Sequence, residues 1–523
     1  MNTKAYLVGA GIASLASAAY LIMHSEIPPG NICILEESGL VGGSMDAHGS
    51  PDVGYAMRGG RMFDEEAYSC TYDLLALIPG TNDPSRSVKE EMFDFNERIR
   101  SHSNCRLVEG GKKVDVSNMG FSMRDRVDLI RLMLASEESL GVSAIWDHFE
   151  PAFFTTNFWF MWCTTFAFQP WHSAIEFKRY LLRFIQELPR IATLAGVRRT
   201  PYNQYDSIIV PLVAWLKGKG VHFLLNARVT NLLFSTHATP KRVECIVYTQ
   251  QGERSEIPVG EDDLVFVTLG SMTEGSSFGS MTAAPLLNLK REGGAWSLWE
   301  TIAQNRCEFG RPQTFDDNIP QSSWESFTIT FHDPTFFRLM EAFTGNVAGT
   351  GGLVTFKDSN WLMSLVLPAQ PHFIDQPASV QVCWGYGLFP DRVGNFVGKK
   401  MSDCNGEEIL RELLGHCRFE DNLHTIVRTS ICIPCMLPFI TSQFLIRGKT
   451  DRPPVIPNDS KNLAFVGQFC EIADDVVFTV EYSIRSAQTA VFALLKLDKK
   501  VSPIYKGQHD SRVLFDSVKA LFS

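Results

Sequence analysis

Three absences narrow the reading of this 523-residue chain before any motif does. It lacks an excess of basic residues: 48 Lys and Arg stand against 58 Asp and Glu, a formal net charge of −10. A protein whose main partner is nucleic acid needs a basic surface for the phosphates. No nucleic-acid partner is therefore expected, while a local basic pocket for an anionic substrate stays open. The chain also lacks a disulfide framework. Its 12 cysteines are scattered without regular spacing, as free thiols in a reducing compartment would be. The one C-x-x-C, Cys432 to Cys435, has neither a second pair nor histidines at zinc-ligand spacing, so buried thiols are read there and no metal is expected. Finally, there is no second long apolar run. The single one, AYLVGAGIASLASAAYLIM, is near the length of a membrane span. Its glycines and serines fall in a nucleotide-binding pattern, so this end is read as folded and cytoplasmic rather than as a signal peptide or anchor.

What is present is ordinary for a globular protein: 45% apolar and 20% charged residues. The length suits two or three domains, because single cores seldom grow past roughly 250–300 residues.

The N-terminus carries the clearest motif. Ala5–Val8 reads as a short buried strand, Gly9-Ala-Gly11-Ile-Ala-Ser14 follows, then a helical stretch, then the apolar strand Ile32–Leu35 ending in Glu36 and Glu37. In this dinucleotide fingerprint Gly9 makes the tight turn and Gly11 lets backbone amides approach a pyrophosphate. Ser14 takes the third small position, where helix and strand pack closely. An acid at the second strand's end is placed for ribose hydroxyls, and Glu36 is the better candidate of the two. A second glycine loop, Val41-Gly-Gly-Ser-Met-Asp46, follows at once and brings Gly43 and Ser44 near the phosphates. NLAFVGQFCEIADDVVFTVEYSIRSAQTAV returns to a strand–Gly–acid–helix unit near the C-terminus, as two-domain flavoproteins do when they close over a flavin. FAD is accordingly favoured over NAD. VHFLLNARVTNLLF and LVFVTLGSM supply intervening strands, which adds Val229, Gly270, Ser271, Gly467, Phe478 and Thr479 as cofactor-binding candidates.

Taken together, GAGIAS, VGGSMD, RGGR, NFWFMWCTTFAFQPWHSAIEFKRYLLRF, RTPYNQYDS, CWGYGLFPDRVGNFVGKKMSDCNGEEIL and FTVEYSIRSA resemble the oleate hydratases, also called the myosin cross-reactive antigen family. The likeness runs from about residue 5 to the C-terminal KALFS. It implies an FAD-containing hydro-lyase that adds water to an isolated cis double bond of a free unsaturated fatty acid, typically giving a 10-hydroxy acid from a Δ9 substrate, with no net redox.

Such chemistry needs a positioned acid, a held water and groups that steady a transient cation, because an isolated alkene is a poor electrophile. It also needs a long apolar channel and a carboxylate anchor. The resemblance places the acid at Tyr180. The local pattern supports a helix there: Ser173-Ala-Ile-Glu176 reads as a capping box, and Phe177, Leu181, Phe184, Ile185 and Leu188 recur at helical spacing. Tyr180 then sits at the margin of the apolar stripe, one turn beyond the carboxylate of Glu176.

In the family, Arg-Gly-Gly-Arg is followed by a glutamate that handles the water. Here Met62 stands at that place, and a thioether cannot take a proton. Asp64, Glu65 and Glu66 follow, with Glu65 the named substitute if the Gly59-Gly60 hinge brings an acid inward. The alternatives are an ordinary solvated helix start, with backbone or flavin holding the water. Arg58 and Arg61 are read as serving flavin phosphates, and Gly59 and Gly60 as letting the loop swing over the flavin ring. At the family's Thr-x-Asn-x-x-x-His position the chain has Thr441, Gln443 and Arg447, the candidate carboxylate anchor. Gln204 and Tyr205 are weaker pocket candidates. The aromatic run 157–171 is open between acyl channel and core packing. The C-terminal segments VFALLKLDKKVSPIYKG and RVLFDSVKALFS are open between packing on the protein and lying on a membrane surface.

The expected fold class is mixed α/β: a Rossmann-like FAD-binding domain interleaved with a substrate-binding domain, plus C-terminal helices. The cofactor domain is assigned to 1–127, 201–290 and 456–500, the fatty acid domain to 128–200 and 291–455, and a helical segment to 501–523. A homodimer stays open. So do a flavin redox enzyme on the same fold, such as a fatty acid isomerase or amine-oxidase relative, and a non-catalytic homologue that binds fatty acid and FAD.

Overall fold

The computed structural model describes residues 3–235, 240–289 and 294–522. Five short strands form a wholly parallel sheet in the order Leu463–Val466, Leu264–Thr268, Ala5–Val8, Ile32–Leu35, His222–Leu224. The beginning, middle and end of the chain thus meet in one sheet. Each strand is nearly continuous in apolar residues because helices cover both faces. The first helix, Ile12–His24, is buried from Ile12 to Leu21 and packs against the helix Val480–Leu494. The apolar run that has the length of a membrane span is therefore core. Among the described residues no helix is long and apolar enough to cross a membrane. An antiparallel three-stranded sheet, Ala227–Phe234, Val243–Gln250 and Glu253–Pro258, sits beside this unit.

The second large layer is an eight-stranded sheet in the order Ser277–Phe278, Ser430–Leu437, Trp324–Phe331, Gln381–Gly387, Met363–Val366, Leu353–Phe356, Leu107–Glu109, Lys112–Lys113. The structure departs here from the expected domain limits. Leu107–Glu109 and Ser277–Phe278, assigned by sequence to the cofactor part, pair here with Leu353–Phe356 and Ser430–Leu437. The helix Gly294–Ala303, assigned to the substrate part, packs on the strand Ala227–Phe234. These pairings join segments far apart in sequence, so no local pattern announces them. The expected limit at 290–291 lies outside the described residues. On the strand Ser430–Leu437 the two cysteines of the C-x-x-C point to opposite faces, as an odd spacing requires: Cys435 enters one apolar core and Cys432 the other.

Two small pairings hold the loop that matters most. The hairpin Ala47–Ser50/Gly54–Met57 lies on the large sheet, where Tyr55 and Met57 donate backbone N–H groups to Thr330 Oγ1 at 2.9 Å and Thr328 Oγ1 at 3.2 Å. Beyond it, Phe63–Asp64 pairs antiparallel with Val197–Arg198. Residues 58–62 are strung between these two anchored ends.

Candidate active site

A cleft opens at the carboxyl ends of the parallel strands, where open α/β sheets hold ligands. Gly9, Gly11, Glu36, Glu37, Gly43, Ser44, Arg58, Val229, Gly270, Ser271 and Gly467 all line it. Its floor is main chain. Gly9 has φ +90, a conformation open to glycine, and Gly42 N–H donates to the Ala10 carbonyl at 3.0 Å, tying the two glycine loops together. A Cβ on Gly43 would lie 3.1 Å from the Gly11 Cα, whereas a Cβ on Gly11 would meet no protein atom within 4 Å and would project into open space. Glu36 accepts from Ala10 N–H at 2.8 Å and from Ser38 N–H at 2.9 Å, which fixes its carboxylate at the cleft. Glu37 turns to Arg228 instead. Ser14 is buried behind the wall, 3.1 Å from the Thr268 hydroxyl, and seals helix to strand. Arg58 spans to Asp46 Oδ2 at 2.8 Å, and its Nε is buried without a partner among the described residues.

A second cavity lies on the other side of the same loop. Gly59, Gly60, Arg61, Met62, Phe478 and Thr479 line this one rather than the cleft. Its wall is largely apolar, with Phe166, Phe184, Leu353, Val366, Trp324 and Trp384 among the lining residues. Gln204 Nε2 donates to the Gly59 carbonyl at 2.6 Å and pins the loop, while Arg61 reaches Ser44. The aromatic run divides: Thr164 to Ala167 line the cavity, and Phe158, Trp159 and Trp162 are core.

Tyr180 projects into this cavity from the helix Ala174–Arg183, 1% exposed and packed edge-on against Phe166, Phe168 and Phe444. Its hydroxyl donates to the Val477 carbonyl at 2.5 Å. The next residue, Phe478, has φ +68, a left-handed conformation seldom taken by a bulky side chain. Burial above all, with Tyr68, Glu176 and Asp475 acting in the same direction, holds the phenol well above its ordinary value of 10.0, so it is neutral and keeps its proton.

Two expectations around Tyr180 fail for one reason. Ser173 makes no side-chain cap, and Glu176 is no companion of the phenol: its Oε1 lies 2.8 Å from both Arg447 and Arg452. Despite full burial these arginines hold its carboxyl at about 2. Arg447, expected to anchor a substrate carboxylate, is thereby occupied, with Glu471 at 3.2 Å on its other side. Thr441 donates to the Ser322 carbonyl and Gln443 to that of Ile440, each at 3.0 Å, and none of the three lines the cavity. A buried carboxylate takes the nearest cations whatever their place in sequence.

The acid beside Met62 is also corrected. Glu65 is on the surface, paired with Arg198. Asp64 is the one turned inward: 5% exposed and lining the cavity together with Met62 and Glu187. The chain turns directly after Asp64, which leaves Glu65 and Glu66 exposed on the turn. Asp64 accepts from Ala67 N–H at 2.6 Å and Gln186 Nε2 at 3.1 Å, and its carboxylate lies within 4.8 Å of those of Glu187 and Glu66. Burial, then a neighbouring acid, raises both Asp64 and Glu187, the latter against the pull of Arg190. Two carboxyls crowded into one buried site favour a single proton held between them. No sequence signal points to Glu187, which sits in the unremarkable stretch IQELPR.

A family model described as MCRA family matches residues 2–492. The chain belongs to the MCRA family. Among curated MCRA relatives, an oleate hydratase of Streptococcus pyogenes is 38% identical, the alignment covering 98% of this chain and 88% of that one. A linoleate hydratase of Lactiplantibacillus plantarum is 32% identical, covering 100% and 99%. Solved structures extend the fold beyond the MCRA family. Cyclohexylamine oxidase from Brevibacterium oxydans superposes with a TM-score of 0.54 at 12% identity, covering 95% of this chain and 100% of that one. Putrescine oxidase gives 0.53 at 12% identity, covering 95% and 99%. At such identity the likeness is one of fold.

Proposed function

We propose that this chain is a hydratase that adds water to an isolated cis double bond of a free unsaturated fatty acid, with FAD in the cleft and the acyl chain in the apolar cavity. The observation that carries this reading is the Arg58–Arg61 stretch: Arg58 faces the cleft while Gly59, Gly60 and Arg61 face the cavity that holds the buried Tyr180 phenol. The residues present fit the cofactor. Gly11 leaves side-chain room empty, Glu36 presents a fixed carboxylate, and the unpartnered Arg58 Nε is available to a phosphate. Gly9, Gly11 and Gly43 would hold the pyrophosphate and Glu36 a ribose. When bound, the flavin supplies a polar wall to the loop and no net electron transfer.

The protein's own residues do the chemistry. Tyr180 delivers its hydroxyl proton to one alkene carbon, and water attacks the other. A phenol made less acidic by burial cannot release a free phenolate, so protonation and water attack are concerted. Asp64 accepts the proton that the attacking water loses and returns it to the Tyr180 oxygen, so that phenol and carboxylate are both restored, and Glu187 steadies the charge on Asp64 through their shared proton. Met62 fills the adjacent wall without taking part in proton transfer. Aromatic faces of Phe166 and Trp384 steady the positive charge as it develops.

The parallel sheet with its three-stranded neighbour serves the cofactor, and the eight-stranded sheet serves the substrate. Contact with a lipid surface is supported by the C-terminal helix Ser511–Phe522. It docks through Ser517 and Leu521 and leaves Leu514, Phe515, Val518 and Phe522 exposed. Incubation with oleate in water enriched in the heavy oxygen isotope tests the activity: a hydroxy acid carrying one heavy oxygen is expected. An unlabelled isomer, or one flavin reduced per product, would overturn the reading.

A further inference from the structure

If Thr441, Gln443 and Arg447 are spent elsewhere, a fatty acid in this cavity still needs a cation for its carboxylate. The sequence Val197-Arg198-Arg199 supplies one. Arg198 lies in the strand that pairs with Phe63–Asp64 and turns outward to Glu65. Alternation sends the next side chain the opposite way, and Arg199 lines the apolar cavity. Its backbone is clamped from both sides by the buried Asn96: Arg199 N–H donates to Asn96 Oδ1 at 2.9 Å, and Asn96 Nδ2 donates to the Arg199 carbonyl at 2.7 Å.

The guanidinium itself is unanswered. Nε and Nη2 are both buried with no hydrogen-bond partner, and no ion pair to Arg199 occurs among the described residues. The fully buried arginines contrast with it: Arg179, Arg183, Arg447, Arg452 and Arg485 each meet a carboxylate, and Arg106 meets carbonyls and a hydroxyl. Burial with no opposing acid brings Arg199 down to about 10, still charged at neutral pH. His372 adds no negative charge. Its Nε2 is also unpartnered, and burial together with the Arg199 charge pushes the imidazole down to about 3.

Arg199 is half-buried as a residue, with Nε and Nη2 out of contact with solvent; a desolvated cation without a counter-ion is costly, and here it stands in the wall of a largely apolar cavity. Nε and Nη2 form one edge of the guanidinium, the edge that receives a carboxylate through two parallel hydrogen bonds. We infer that Arg199 binds the carboxylate of the acyl substrate and so selects free acids over esters. This rests on the fatty acid reading above.

The test is binding of sodium oleate and methyl oleate, below the concentration at which oleate aggregates, to flavin-loaded native protein, Arg199→Gln and Arg199→Lys. Native protein is expected to prefer the acid. Arg199→Gln should lose about 10–100-fold in acid affinity, the worth of a hydrogen-bonded charge pair, with ester affinity unchanged. Arg199→Lys, which keeps the charge but not the paired edge, should fall between. Equal loss for acid and ester, or no loss for the acid, overturns the assignment. So does a native protein that binds the ester as tightly as the acid, a result that stands even if a variant fails to fold. Binding that depends on Arg199 without hydration would sink the hydratase reading and leave the anchor; hydration with an unchanged KM in Arg199→Gln would do the reverse.

Discussion

The cleft at the ends of the parallel strands and the cavity around Tyr180 share a loop but are made of different material. The cleft has a main-chain floor from two glycine loops that are neighbours in sequence, with Glu36 fixed at a strand end, and is completed by residues 227–229, 268–274 and 467–469. The cavity is walled by side chains from residues 59 to 68, 164 to 199, 324 to 386 and 478 to 480. A main-chain site tolerates changes in most side chains and fails when a glycine acquires one. A side-chain site depends on individual groups whose protonation its surroundings dictate.

The sharpest way to break this contrast is at Tyr180. Tyr180→Phe should lower hydration about 10²–10⁴-fold, the usual span for losing a general acid, while flavin absorbance after desalting stays unchanged. A variant with full turnover would remove the phenol from the mechanism.

The cleft should fail differently. Gly11 has φ −75, which any residue adopts, and no protein atom lies within 4 Å of where its Cβ would stand. Gly11→Val should therefore fold normally yet bind flavin about 10–100-fold more weakly, the cost of overfilling a close-packed contact. Flavin content and Tm measured together check this, and a lower Tm with flavin retained would contradict it.

Within the cavity, Asp64→Asn should lower kcat by about tenfold, below the usual span of acid–base effects, since a cation-like transition state asks little of its nucleophile. Met62→Glu placed on that variant should recover most of the loss, because it returns a carboxylate to the same wall. Failure of recovery would separate Asp64 from the water.

The smallest effect is one of stability. Glu187 has a folded pKa raised above its unfolded value. As pH climbs past the ordinary carboxylate range the unfolded chain releases this proton and the folded chain does not, so the group costs stability there. Glu187→Gln should accordingly show a Tm advantage over native protein that is larger at pH 8 than at pH 5. About 2–4 °C is expected for each kcal/mol regained. An advantage that shrinks with rising pH would mean that Arg190 outweighs burial.

How legible each site was in the sequence follows from the same contrast. The cleft was readable because a strand, two glycines, a helix and a terminal acid occupy one short segment, and its geometry is that of the backbone. Tyr180 was found through resemblance and its helix through apolar spacing. The carboxylate chemistry around it is not legible there: helical spacing makes Glu176 a companion of Tyr180, the resemblance makes Arg447 an anchor, and the loop offers Glu65 as the inward acid. The structure gives Glu176 and Arg447 to each other across 271 residues, and the pairing of Phe63–Asp64 with Val197–Arg198 turns Asp64 in and Glu65 out.

By itself the sequence determined the parallel nucleotide unit, its glycine turns and the helix that carries Tyr180, because each depends on hydrogen bonds and apolar spacing within a few turns of chain. Only the tertiary structure decided which buried charges are neutralised and which are left facing the cavity. Desolvation makes every buried ion seek a partner, and whether Glu176, Asp64 or Arg199 finds one depends on segments that meet only after the two sheets have assembled.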